Sequence, residues 1–237
     1  MCTVSWVHQP DGYHLLANRD EKRTRGVGLA PTVCESGGVR YVAPADADRG
    51  GTWIAVNEFG LSVCLLNGEG RSAAPRSRGL LLRELAWAPD TAECLMWLRQ
   101  LDLRRFAPFT LVALEPGRPA AIADWDGAKL AVDPAGDDRM PLTSSSYDAA
   151  GVRRVRQNEF AERAGAGGRI DPALLYWFHA SHGTAPDAYS PCMHREDAET
   201  VSFSWVIVSA EEIRFLYVPA ALCQSRAGEQ CILARVA

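Results

Sequence analysis

The sequence predicts an α+β protein built in layers, with two packed antiparallel sheets and helix pairs outside them. Three observations lead there. Strand-like runs come in pairs around short turns. Helical stretches come in two pairs set between the strand runs. No linker, repeat or low-complexity run divides the 237 residues. Hairpins favour antiparallel pairing, and helices segregated from strands favour α+β layers over alternating parallel units. An apolar fraction of 47% supports a sizeable core, and the chain reads as one domain, 1–237.

The elements follow in order. Thr3–Gln9 and Tyr13–Asp20 flank Pro10-Asp11-Gly12, a turn signal between strand runs. Lys22–Gly50 is polar and rich in turn residues, with a short strand at Gly38–Ala43. Gly51–Asn57 and Leu61–Asn67 form a second hairpin around Glu58-Phe59-Gly60. Ser77–Ala88 is Leu-rich and helical. Asp90 caps the next helix, with Glu93 at capping-box spacing, and Cys94, Trp97, Leu98 and Leu101 make one apolar stripe. Strands return at Phe109–Leu114, Ala120–Trp125, Lys129–Val132 and Leu142–Ser145. Helices are expected over Val152–Ala164 and Pro172–Ser181, the second opened by Asp171 with proline at its first position. Between them, Ala164–Gly168 reads as a flexible loop. Val201–Ser209 and Ile213–Val218 form the last strand pair.

Composition excludes several function classes. The net charge is −4 and the basic residues are scattered, so nucleic acid is not an expected partner. Arg153, Arg154 and Arg156 read as the solvated face of a helix. No run of about 18 apolar residues exists to span a membrane, and no signal peptide is read at the start. Seven cysteines without regular spacing fit a reducing cytoplasm better than a disulfide framework, and Cys34, Cys64 and Cys94 read as small core hydrophobes. His179 and His182 have helical spacing, and Cys192 lies two residues before His194. Yet neither a haem-attachment motif nor zinc-finger spacing is present, so no metal and no cofactor are expected.

Chemistry concentrates at the start of the chain. Removal of Met1 would leave Cys2 with a thiol nucleophile and a free α-amine. Such an amine titrates at about pH 7.7–8.0, near enough to neutral to accept the thiol proton.

Met1-Cys2, Ala17-Asn18-Arg19-Asp20-Glu21, Gly50-Gly51-Thr52-Trp53 and Gly60-Leu61 leading to Asn67 together resemble the NRDE family, also called the transport and Golgi organisation protein 2 family. That family is similar to the N-terminal nucleophile hydrolases, which implies a four-layer αββα fold. Pro191-Cys192-Met193-His194 followed by Thr200 also resembles the C-terminal part of that superfamily's acyltransferases and amidases. Its bile-salt and penicillin amidases carry Arg-Asn-any-Asp near the nucleophile. Asn18 and Asp20 match this pattern, while the arginine position falls on Ala17 and the guanidinium stands at Arg19. Leu142-Thr143-Ser144 places Ser144 where those amidases carry an oxyanion-holding asparagine.

The resemblance implies roles. Asp20 would orient the amine and thiol of Cys2, unless it only caps a turn at the strand end. Asn67 would hold an oxyanion, unless Asn-Gly is simply a turn. Period-two alternation is read as placing Asn18 and Asp20 toward Cys2 and Arg19 away from it. Arg19 and Glu21 then read as a structural salt link, Trp53 as a core aromatic and Arg195 as a charge partner of the site. Two functions follow. One is a Cys2-dependent hydrolase or acyltransferase acting on a C–N amide bond of a small molecule. The alternative is a non-catalytic carrier of haem, lipid or another apolar ligand.

Overall fold

The structure, a computed structural model, describes residues 2–70, 74–165, 168–224 and 226–236. The chain opens with two hairpins. Strands β1 (Cys2–Gln9) and β2 (Gly12–Lys22) pair along the whole length of β1. β3 (Gly28–Ser36) and β4 (Val39–Asp46) follow, then β5 (Ile54–Asn57) and β6 (Ser62–Asn67). The turn between β5 and β6 closes because Asn57 Oδ1 accepts from Phe59 N and Leu61 N, both at 3.1 Å, while Gly60 takes φ 85°.

Helices α1 (Arg78–Leu85) and α2 (Thr91–Gln100) come next, and Asp90 Oδ1 caps α2 by accepting from Glu93 N at 2.8 Å. Strands β7 (Phe109–Leu114), β8 (Ala121–Trp125), β9 (Leu130–Asp133) and β10 (Leu142–Ser144) lead to α3 (Ala149–Ala164) and α4 (Pro172–His179). Asp171 caps α4 as the sequence predicts. The predicted Ala164–Gly168 loop includes residues 166 and 167, which lie outside the described residues. The chain closes with β11 (Ala198–Val208), β12 (Glu212–Val218) and β13 (Glu229–Ala234).

Two antiparallel sheets result, one ordered β10-β1-β2-β11-β12-β13 and the other β3-β4-β5-β6-β7-β8-β9. Their facing sides bury Val4, Trp6, Leu15, Val56, Leu66, Val112 and Phe215 in one core. The outer face of the second sheet packs Val63, Leu65 and Leu111 against Leu81, Leu85 and Leu98 of α1 and α2. The outer face of the first packs Leu16 and Phe203 against Phe160, Leu175 and Phe178 of α3 and α4. The architecture is the expected four-layer αββα sandwich.

Two strands are absent from the sequence reading, β3 and β13. Both lie at sheet edges with one bonded neighbour each, and much of β3 is solvent-exposed. Edge strands need no alternating apolar pattern, so periodicity does not reveal them. Among the described residues no helix is long and apolar enough to cross a membrane.

Candidate active site at the start of the first strand

Register decides which side chains meet. Cys2 lies directly opposite Arg19 in the β1–β2 pair, and Thr3 lies opposite Asn18. Directly opposed residues of an antiparallel pair project to the same face. Arg19 therefore shares the inter-sheet face with Cys2, while Asn18 and Asp20 project toward the helix layer. This reverses the predicted facing. Alternation along β2 is as expected, but the phase relative to β1 is one residue off, and such a shift exchanges the faces of every side chain.

On the inter-sheet face, Cys2 opens on a cavity of about 140 Å³. Its lining includes Arg19, Asp20, Trp53, Asn67 and Arg78. The Arg19 guanidinium lies 4.4 Å from the Trp53 ring centre, bonds Asp46 at 3.0 Å and reaches Glu21 at 3.5 Å. The expected link to Glu21 is thus shared with Asp46. Trp53 packs in the core and also forms a wall of the cavity. Gly51 lets that wall approach α1, since a Cβ there would come within 2.6 Å of the Gly79 carbonyl carbon. Gly51-Thr52-Trp53 and the Arg19 and Glu21 side of the tetrad thus meet at one cavity.

The thiol pKa is raised, first by burial. Arg19 opposes that rise, and Asp20 and Glu21 add to it. Cys2 N donates to Ser144 Oγ at 3.1 Å, since Cys2 and Ser144 are paired residues of β1 and β10. Asn67, at the end of β6, also lines a neighbouring cavity of about 530 Å³.

The helix-side face is sealed. Asp20 is 1% exposed; its Oδ1 accepts from Thr200 Oγ1 at 2.6 Å and its Oδ2 lies 3.5 Å from Arg156. Arg156 is itself 1% exposed and donates to Thr143 Oγ1 at 3.0 Å, to the Tyr189 carbonyl at 3.1 Å and to Thr3 Oγ1. This corrects the reading of Arg156 as solvated. The missed signal is spacing: Val152, Arg156 and Phe160 lie four apart, so the arginine occupies the buried stripe of α3. Asn18 Nδ2 donates to the carbonyls of His179 at 2.9 Å and Pro191 at 2.8 Å, which ties β2 to the segment after α4. Arg195 does not line the Cys2 cavity; it pairs with Asp197 at 2.7 Å and lies over Tyr147. Arg78, which the sequence reading passed over, does line it and donates to the Pro108 carbonyl at 2.7 Å.

The layer order is that of the N-terminal nucleophile hydrolase fold, and solved structures share it. Penicillin V acylase from Agrobacterium tumefaciens matches with TM-score 0.58 at 11% identity, covering 93% of this chain and 83% of that one. A mutant conjugated bile acid hydrolase from Clostridium perfringens gives 0.57 at 11%, covering 100% and 97%. The Caenorhabditis elegans ortholog of N-acylethanolamine-hydrolyzing acid amidase gives 0.59 at 13%, covering 87% and 92%. No curated protein sequence matches. The profile of the Transport and Golgi organisation 2 family matches residues 1–132, and the chain belongs to that family.

Proposed function

We propose that the protein is a Cys2-dependent hydrolase or acyltransferase acting on a C–N amide bond of a small molecule. One observation carries this reading: the Cys2 thiol, at the first residue of an inner strand, shares a cavity with Arg19 and Asn67. The fold shared with a penicillin V acylase, a conjugated bile acid hydrolase and an acid amidase supports it, as does the family pattern around Cys2.

The mechanism follows from the groups present. With Met1 removed, the Cys2 amine accepts the thiol proton and the sulfur attacks the substrate carbonyl carbon. A C–S bond forms and the carbonyl becomes an oxyanion, for which the Asn67 amide at the cavity mouth is the donor. Arg19 favours the thiolate against the opposing effect of burial. The oxyanion collapses, the C–N bond breaks, and the leaving nitrogen takes the proton from the α-ammonium. Water or an acceptor amine then cleaves the thioester, and the proton returns to sulfur. Asp20 acts through position: held by Thr200 and Arg156, it adds negative potential beside the ammonium. Ser144 Oγ holds the nitrogen of Cys2.

The test uses full-length protein whose intact mass shows loss of Met1. A thiol-directed acyl probe should label it once, at Cys2, and N-acyl amides should be turned over. Turnover that persists in Cys2→Ala defeats the proposal. Retention of haem or lipid with neither labelling nor turnover would instead establish the carrier reading.

A further inference from the structure

We propose that His182, Cys192, His194 and Cys223 form a structural zinc site that staples the segment after α4 to the turn after β12. The four ligand atoms all lie within 4.8 Å of one another. They come from three places in the chain. His182 follows the end of α4, Cys192 and His194 stand in the connection to β11, and Cys223 lies in the short helical turn Leu222–Gln224.

Four of the six spacings match a tetrahedron, and the other two lie within 4.8 Å. Bonds of about 2.3 Å to sulfur and about 2.0–2.1 Å to nitrogen put tetrahedral edges at about 3.8 Å between two sulfurs and about 3.3 Å between two nitrogens. Cys192 Sγ and Cys223 Sγ are 3.7 Å apart, and the Nε2 atoms of His182 and His194 are 3.2 Å apart. Mixed edges fall between about 3.3 and 3.8 Å on the same bond lengths. His194 Nε2 is 3.3 Å from Cys223 Sγ and 3.7 Å from Cys192 Sγ.

The chemistry selects the ion. Two thiolates and two imidazoles suit zinc, and four protein ligands leave no open position, which marks a structural rather than a catalytic centre. The two thiolates balance the dication, and their protons pass to solvent as the metal binds. Cys223 is exposed, which gives the ion a way in. The surrounding backbone is already arranged: Cys192 N donates to the Ser181 carbonyl at 2.9 Å, His194 N to the Asp187 carbonyl at 3.1 Å, and Ser190 Oγ to the His182 carbonyl at 3.0 Å.

A staple here has a consequence for the polar face behind Cys2. Asn18 donates to the carbonyl of Pro191, next to Cys192. Met193, between two ligands, donates its N–H to Thr200 Oγ1 at 2.8 Å, and that hydroxyl donates to Asp20. The ion therefore fixes the segment that holds Asp20. The spacing hides it from sequence, since Cys-x-His with one ligand ten residues before and another some thirty after matches no zinc-finger pattern.

The experiment measures metal in the full-length, untagged protein purified under reductant. Elemental analysis should find about one zinc per chain. Replacement by cobalt should give the intense visible bands of a tetrahedral ion and thiolate-to-cobalt charge transfer. Cys223→Ser, at an exposed position, should lose the metal and the charge-transfer band while keeping the far-UV circular dichroism of the wild type. His182→Asn should do the same. Cys2→Ala should keep the full metal content, which separates this site from the nucleophile. Three results would each overturn the proposal: reduced wild type that takes up no zinc or cobalt, metal content unchanged in both Cys223→Ser and His182→Asn, or metal-free protein with a Cys192–Cys223 disulfide as isolated from the cell.

Discussion

The two faces of β1 and β2 near Cys2 differ in almost every respect. The inter-sheet face carries Cys2, Arg19 and Trp53 around an open cavity. The helix-side face carries Asp20, Arg156, Thr200, Thr3 and Thr143, joined in one hydrogen-bonded network. Four consecutive residues, Asn18 to Glu21, feed both. Alternation along β2 sends the arginine to the cavity side and sends the asparagine and the aspartate to the sealed side. The tetrad thus divides between an open cavity and a closed polar network, and its members should fail in different ways when altered.

The largest expected effect tests the open face. Cys2→Ala should reduce turnover to background. Its melting temperature should fall little, because the change removes one sulfur beside a cavity and costs about 1 kcal/mol, the scale of an ordinary point substitution. Cys2→Ser should retain a small fraction of the activity, since the alcohol is far harder for an α-amine to deprotonate. A Cys2→Ala protein with full activity would remove the open face from the mechanism.

Substitution on the sealed face should show the opposite pattern. Arg156→Met leaves the Asp20 carboxylate buried without its cation, which costs about 3–5 kcal/mol. For a chain of this size that corresponds to a fall of about 2–4 °C in Tm for each kcal/mol. Adding Asp20→Leu to Arg156→Met should recover part of that loss, since a buried ion pair replaced at both ends is often neutral. Denaturant melts of the single and double variants measure it. If Arg156→Met melts like the wild type, the sealed face contributes no stability and the contrast fails.

Asn67→Ala sharpens the open face further. Asn67 is exposed at the end of β6, so its loss should leave Tm unchanged. As an oxyanion donor it should lower kcat by about 10²–10³-fold with KM little altered. A rise in KM at constant kcat would assign Asn67 to substrate binding instead.

Much of this contrast was legible in the sequence, and its limits have physical causes. Hairpins, capping residues and the α2 stripe are local signals, and Asp90, Asp171 and Asn57 act in the structure through short-range bonds to their own turns. Cys2, the tetrad and the Gly-Gly-Thr-Trp run are legible through resemblance, and the fold brings Cys2, Arg19, Glu21 and Trp53 to one cavity. What was not legible depends on register or on long-range packing. The phase of β2 against β1 is set by the whole hairpin, so alternation along β2 alone does not decide which face Arg19 takes. Charge makes Arg156 read as solvated, while its position between Val152 and Phe160 puts it in the buried stripe of α3. Arg195 reads as a charge partner of the site, yet its guanidinium turns to Asp197 and Tyr147, a long-range outcome that no local signal carries.

The smallest effect also belongs to the sealed face, and pH reads it. His179 is fully buried beside this network, with Nε2 2.9 Å from Ser5 Oγ. Burial first, and then the nearby charge of Arg156, lower its pKa from 6.5 to about 3. The folded protein therefore keeps this imidazole neutral where the unfolded chain would protonate it. The sign follows from linkage: between the two pKa values the unfolded state binds the extra proton, so stability falls as pH falls. The contribution is fully present above about pH 6.5 and declines by up to about 1.4 kcal/mol per pH unit as the pH drops toward the folded-state value. Carboxylates with lowered pKa, such as Glu58 and Asp137, titrate lower down and leave the upper part of that window to histidines. His14, with its pKa also lowered by burial, adds a term of the same sign. His179→Gln keeps a hydrogen-bonding group near Ser5 and cannot titrate. Melts of wild type and His179→Gln from pH 7 to pH 5 should therefore diverge, with the wild type losing stability faster on acidification. Parallel curves would mean that the imidazole charges freely in the folded state, and the helix-side face would then be less tightly closed than its hydrogen bonds imply.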